Sequence, residues 1–469
     1  MKTLVKNNYS KLFLVAIATF FYVDIFSKSS VGIFASLLLF STLGVISCLN
    51  LSRGIIFSII YAIIVIEFPR DILDVYSALQ VENTIQYNVL NSVKIGPFTL
   101  FLYLVFLNTF LVLLKSFKVK FNTSNILLVL SFFVVGILSM LRIIYLNGSL
   151  FYPGLIITDV KFSVFLFFGI IQGAYLFEQG KFRDLTDLIM AVPIIIGARA
   201  ILFVLHDSLT GTSNLDLMTQ PYLSLAVLVV LIINGSWGLY KNILFRALLF
   251  ISLLNPSRGF FLLAAIFILA ALTWKFYKKL PFNVSFIFQI VLVITVVFGG
   301  IFIFNERMFN FFMWKLNVFR EFFSEDVAVS GSGMVRYLEL ANVFELINDS
   351  FYELFFGRGF AGTYHFLNYP IDSVGVIDLK SYSQDQLDSG VYYTAHSFFT
   401  TILLKYGIFG LIVYLLIPLR VFLFFVLKKR YLLIAVFSIV LIYLYYSRIE
   451  YMLLMGLFLG SMHKKRTYV

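Results

Sequence analysis

Charge is scarce in this chain. Asp, Glu, Lys and Arg make up 13% of its 469 residues, where a soluble domain carries roughly 25%. With 61% hydrophobic and 18% aromatic residues and a mean hydropathy of +0.95, the composition excludes a soluble globular protein. It specifies a polytopic, mostly helical membrane protein. Cysteine is nearly missing, and the single Cys48 excludes a disulfide framework or a cysteine metal site. Histidine is equally sparse. His206, His365, His396 and His463 are scattered, which argues against a metal cluster. No acidic residue sits at mid-membrane in most apolar runs, apart from Asp24 and Glu67 near outer ends, and that weakens a proton-coupled transporter. Neither an internal repeat nor a low-complexity tract is present.

What is abundant is apolar length. Runs long enough for most of a bilayer crossing fall at 11–27, 31–49, 54–68, 96–114, 124–146, 160–177, 186–206, 219–235, 242–254, 259–274, 284–304, 396–427, 431–446 and 449–462. They predict an all-α polytopic membrane protein of about 12–14 transmembrane helices with one large extracytoplasmic loop. The stretch Met1 to Lys11 is basic, but no small-residue cleavage site follows Phe13 to Phe26, so a retained first span is expected rather than a removed signal peptide. With fourteen passes and a cytoplasmic amino terminus, both termini lie inside. The basic groups then fall on the cytoplasmic side: Arg53; Lys115, Lys118 and Lys120; Lys181 and Arg183; Lys241; Lys275, Lys278 and Lys279; Lys428, Lys429 and Arg430; and Lys464, Lys465 and Arg466. The positive-inside rule explains the net charge of +12 better than a nucleic-acid partner does.

The organisation that follows is membrane helices 1–11 over residues 1–304, an extracytoplasmic loop over 305–395, and C-terminal membrane helices over 396–469. The loop holds six basic and twelve acidic residues, a balance of −6, leaving +18 for the rest. Around Met334 to Ile347 its apolar residues recur at helical spacing, predicting a helix on the membrane face. From Asp372 to Ser389 it turns polar, in the manner of a mobile flap.

Where this loop gives way to an apolar run the sequence reads His396-Ser397, nine residues, Gly407, two more, and Gly410. It predicts a membrane helix with an imidazole at its water-facing mouth. Gly407 and Gly410 would be neighbours on one face of that helix, where small residues let backbones approach. His396 can take a proton from a hydroxyl near neutral pH, or simply cap the helix. Arg258, in Asn255-Pro256-Ser257-Arg258-Gly259, breaks two apolar runs at the outer face. It is either a tight turn with a snorkelling side chain or an anion site at a helix amino terminus. Arg336, in Arg336-Tyr337-Leu338-Glu339-Leu340, is a solvated residue paired with Glu339 or a ligand-binding cation. Arg358, between Gly357 and Gly359, marks a turn or a close backbone approach to a ligand. Arg142, Lys161 and Arg199 lie within or at the outer ends of apolar runs. Intramembrane cations of this kind are functional candidates, salt bridges or snorkelling side chains.

Taken in order, these motifs resemble the O-antigen polymerase and O-antigen ligase superfamily of bacterial membrane glycosyltransferases. His396-Ser397 with Gly407 and Gly410 is similar to the family's motif after its large outer loop. Arg336 to Leu340 is similar to its Arg-x-x-x-Leu motif, and Ser257-Arg258-Gly259 to its short Ser-Arg-Gly element. Together they cover about 160 residues. The resemblance implies a C-type glycosyltransferase-like membrane fold in the bacterial inner membrane, with a periplasmic active site. It implies an undecaprenyl-diphosphate-linked oligosaccharide as substrate, membrane lipid and a chain-length regulator as partners, and no cofactor or metal. Arg258 and Arg336 would clamp the diphosphate, with Arg358, Arg199, Lys161 and Arg142 as further substrate-binding cations. His396 would orient or deprotonate the acceptor hydroxyl. The implied activity is a polysaccharide polymerase, with a ligase acting on lipid A-core and a protein O-glycosylating relative as alternatives within the class. A lipid-linked glycan flippase is the alternative outside it, and would want charges through both leaflets.

Overall fold

The computed structural model describes residues 30–66, 94–95, 98–115, 122–148, 152, 154–198, 201, 222–234, 242–253, 331–367, 382, 384–393, 395, 397–427 and 449–462, with isolated positions between 264 and 276. In chain order these form α1 (Ser30–Leu49), α2 (Leu51–Ile66), a short antiparallel pair β1 (Lys94–Ile95) and β2 (Phe98–Thr99), α3 (Leu100–Lys115), α4 (Thr123–Asn147) and α5 (Leu155–Glu178). Then come α6 (Phe182–Ile189), α7 (Tyr222–Asn234), α8 (Ile243–Ser252), α9 (Gly331–Asn348), α10 (Phe351–Phe356), α11 (Gln384–Ser389), α12 (Phe398–Leu427) and α13 (Ile449–Gly460). The protein is an all-α polytopic membrane protein. Among the described residues, α4, α5 and α12 over Phe398–Phe424 are long and apolar enough to cross a membrane. The helix expected around Met334 to Ile347 is α9.

The chain divides into two compact units that interleave along the sequence. One comprises Met1–Leu111, Arg183–Ser324 and Tyr431–Ile439. Within it α1 and α2 meet at an elbow, where the side chain of Asn50 accepts from the Arg53 N–H at 3.2 Å. Polar groups bind its helices internally, since bilayer lipid offers them no partners. Asn108 donates to Ser58 at 3.2 Å, and Ser252 to Ser224 at 2.6 Å, all four buried.

The second unit comprises Val112–Phe182, Glu325–Arg430 and Val440–Val469. Its α4 starts at Asn122, whose side chain accepts from the Ser124 N–H, and stops at Gly148 in the left-handed region, a pair of terminal signals that fixes the length of the helix. The tightest seam joins α5 to α13. A Cβ on Gly173 would sit 2.2 Å from the Leu457 carbonyl oxygen, and one on Gly456 2.2 Å from that of Leu166. Gly169 and Gly460 are equally confined. Each helix thus carries two glycines four apart, so the backbones themselves touch and dispersion replaces the hydrophobic effect that lipid cannot supply. Asn125 of α4 adds a buried bond of 2.9 Å to the Leu459 carbonyl.

The helix after the long polar stretch departs from expectation. Gly407 does not continue α12 but breaks it, with φ 62° and ψ −162°. An L-residue disfavours this conformation and glycine does not. The break still brings backbones together, because a Cβ on Gly407 would lie 2.5 Å from the Phe355 carbonyl carbon. Gly410 is confined instead by a side chain of its own helix. Its missing side chain leaves room for the Cβ of Tyr406, which would otherwise be 2.0 Å away.

Replacing Gly173 with leucine should force α5 and α13 apart. The expected loss is at least the roughly 1–3 kcal/mol of an overpacked core, seen as a lower unfolding temperature in detergent and a reduced folded yield.

Candidate active site

The break in α12 is answered by the turn that follows α10. Gly357 and Gly359 take φ of 68° and 78°, which turns two successive N–H groups toward the helix. The Arg358 N–H donates to the Leu404 carbonyl and the Gly359 N–H to that of Lys405, each at 2.8 Å. A disrupted helix leaves backbone groups in search of partners, and these two carbonyls lie just before the break. On its other side the turn enters α4. Phe360, fully buried, lies over Gly136, where a Cβ would be 2.6 Å from the ring. Ser139 donates to the Phe356 carbonyl at 2.9 Å.

The turn carries Arg358, and one carboxylate gathers it with Arg142. Glu353 of α10 faces a guanidinium with each oxygen. Arg142 Nη1 donates to Oε1 at 2.8 Å, and Arg358 Nε lies 3.6 Å from Oε2. Arg142 also donates to Ser350 Oγ at 3.2 Å and lies over the Tyr352 ring at 4.7 Å, a cation–π contact that orients its plane. Arg358 Nη1 donates to the Thr363 carbonyl at 3.0 Å. Two cations on one anion leave the cluster net positive and both forks held in place.

Of the other expected residues, Arg336 is half-buried on α9 and Lys161 half-buried on α5. Arg336 follows Val335, which belongs to a core of Val343, Ile347, Tyr364, Tyr382, Tyr392, Leu403 and Leu404. The helix bearing Arg336 therefore packs on the first stretch of α12. His396, Arg258 and Arg199 lie outside the described residues. Ser397 lies within them, its carbonyl accepting from the Thr401 N–H at 3.1 Å.

Three acidic residues are not among the site residues that the motifs single out, although Glu339 lies inside one of them as a partner for Arg336. Glu353 is the first. Glu339, fully buried, accepts from Tyr364 at 3.2 Å and Tyr382 at 2.7 Å. Tyr364 and Tyr392 exchange backbone bonds of 2.8 and 2.9 Å, which ties the turn to the segment entering α12. Both Tyr364 and Tyr382 keep their protons well above the ordinary tyrosine range, because burial first and then the Glu339 charge oppose a second anion. The third is Asp159 of α5, paired with Lys405 of α12 and accepting from the Ala361 N–H at 2.8 Å. Lys405 was visible as a cation inside an apolar run, the signal that singles out intramembrane charge.

Residues 243–415, a little over a third of the chain, match the family described as O-antigen ligase. The match over this stretch supports the O-antigen ligase and polymerase superfamily. No curated protein and no solved structure matches the chain. The O-antigen ligase match encloses Arg258, Arg336, Arg358 and His396, together with Glu339, Glu353 and Lys405. The family indicates a membrane glycosyltransferase-like enzyme of ligase or polymerase type.

Replacing Glu353 with glutamine leaves two guanidiniums without their counter-charge. A loss of about 2 kcal/mol, between the values for exposed and buried pairs, should appear in thermal unfolding. The tyrosine pair sets a second expectation. Unfolded tyrosines ionise near about pH 10, whereas Tyr364 and Tyr382 in the fold do not. The folded state then holds more protons, so their stabilisation is complete below that pH and declines above it. Tyr382→Phe should flatten this alkaline decline in unfolding temperature.

Proposed function

We propose that the chain is a polysaccharide polymerase, which transfers a glycan chain from its undecaprenyl-diphosphate carrier onto a lipid-linked repeat unit. The observation that carries this reading is the O-antigen ligase match over the same stretch that holds Arg258, Arg336, Arg358 and His396. In it the acceptor hydroxyl attacks the anomeric carbon of the donor from the face opposite the diphosphate. The new C–O bond forms as the anomeric C–O bond to diphosphate breaks, with inversion, and undecaprenyl diphosphate leaves with the electron pair. His396 takes the hydroxyl proton. Arg258 and Arg336 balance the charge that grows on the leaving diphosphate, so no metal is needed for that task. Arg358, Arg142, Lys161 and Arg199 form the surrounding basic field for a polyanionic substrate. The site faces the periplasm, in an inner-membrane protein with both termini in the cytoplasm.

A second reading, ligation of the finished chain to lipid A-core, is favoured by the description of the matching family. Both reactions share a donor and differ in acceptor. Purified protein supplied with lipid-linked repeat units should give a ladder of products. Transfer only when lipid A-core is added would establish the ligase, and no glycan joining with either acceptor would overturn both. His396→Ala and Arg336→Ala should each lower product formation at least a hundred-fold, in the range for loss of a general base or a charge-stabilising group, while membrane insertion stays normal.

A further inference from the structure

Asp159 is an acid placed where apolar helices meet, and both of its oxygens are committed. Oδ1 pairs with Lys405 Nζ, and Oδ2 accepts from the Ala361 N–H at 2.8 Å. The two charged side chains are only 8% and 4% exposed. Ala361 is the one non-glycine with positive φ among the described residues, at 58°. That backbone state is costly for alanine, and its N–H is the group that Asp159 holds. Three elements thus meet at one carboxylate: α5, the first stretch of α12, and the turn bearing Arg358.

Stability alone is a poor reason for such a pair. Withdrawing two charges from water costs several kcal/mol each, and apolar replacements of similar size often match or exceed a buried pair. What an ion pair gives that apolar contact does not is registry, because a carboxylate fixes both partners by direction and distance. The turn already touches α12 through the Arg358 and Gly359 N–H groups. The Phe360 N–H on the Gly136 carbonyl, at 3.3 Å, ties it to α4, and Asp159 adds a point on α5 that further keeps the turn from pivoting.

We propose that Asp159, through Lys405 and the Ala361 N–H, is a positioning residue for Arg358. It sets the register of the 357–363 turn against the helix that begins two residues after His396. The consequence for catalysis rests on the glycosyl-transfer reading; the clamp itself does not. Since small misplacements of binding groups are costly to rate, loss of the clamp should lower turnover about ten-fold through Arg358.

The test separates registry from bulk stability. Asp159→Asn alone leaves Lys405 without its counter-charge and is expected to lower the unfolding temperature. The double variant Asp159→Asn/Lys405→Met removes both charges and should unfold at the wild-type temperature. Its turnover on lipid-linked repeat units should stay about ten-fold down. In an Arg358→Ala background the same double substitution should cause no further loss, because its effect passes through that arginine. A spin-label pair at Leu367 and Phe399, with Cys48 replaced by serine, should show a broader distance distribution in the double variant. Wild-type turnover and an unchanged distribution would overturn the proposal, as would a loss that adds fully to that of Arg358→Ala. If the wild-type protein joins no glycan yet the distribution broadens, the clamp stands and the transferase reading falls.

Discussion

A helix that breaks among apolar neighbours must give its backbone groups to something other than water, and the second unit is arranged around how this is done. Gly407 interrupts α12, and the carbonyls of Leu404 and Lys405 accept from the N–H groups of Arg358 and Gly359. The turn that supplies those donors can reach them only because Gly357 and Gly359 adopt left-handed φ and carry no side chain. Arg358 sits between them and inherits its position from the bonds. Glu353, one turn of helix earlier, then draws Arg142 to the same place. The electrostatics of the site are in this sense a by-product of backbone satisfaction.

Glycine serves two unrelated ends in this unit. At the α5–α13 seam it keeps regular helices and simply removes bulk, so that backbone meets backbone. In α12 and the neighbouring turn it supplies conformations that other residues resist. Substitution by alanine would therefore disturb the first by contact and the second by contact and torsion together.

Much of the fold was legible from hydropathy, since runs such as 124–146 and 396–427 became α4 and α12 with ends displaced by only a few residues. The charge pairs were not. Arg142 and Glu353 are remote in sequence, and nothing in either neighbourhood names the other. Asp159 is hidden because the apolar run starts at residue 160, whereas the helix starts at Leu155 and carries the acid inside it. The break at Gly407 was hidden for a different reason. Two glycines three apart look the same in a continuous helix and in one that parts, and only the donors waiting on the 357–359 turn decide between them. Arg336 and Arg358 could be flagged as candidates by motif, but their surroundings depend on packing between α9, α10 and α12 that no local pattern encodes.

The seam between α5 and α13 also bears on how the molecule is made. Its two halves are Gly169 with Gly173 and Gly456 with Gly460, and α13 follows every other described helix in the chain. During synthesis α5 enters the bilayer with its glycine stripe open to lipid or to a temporary companion, and closes only once the ribosome has delivered α13. The seam therefore closes only after the residues between α5 and α13 have been made, and α5 keeps its glycine stripe uncovered by α13 for that interval.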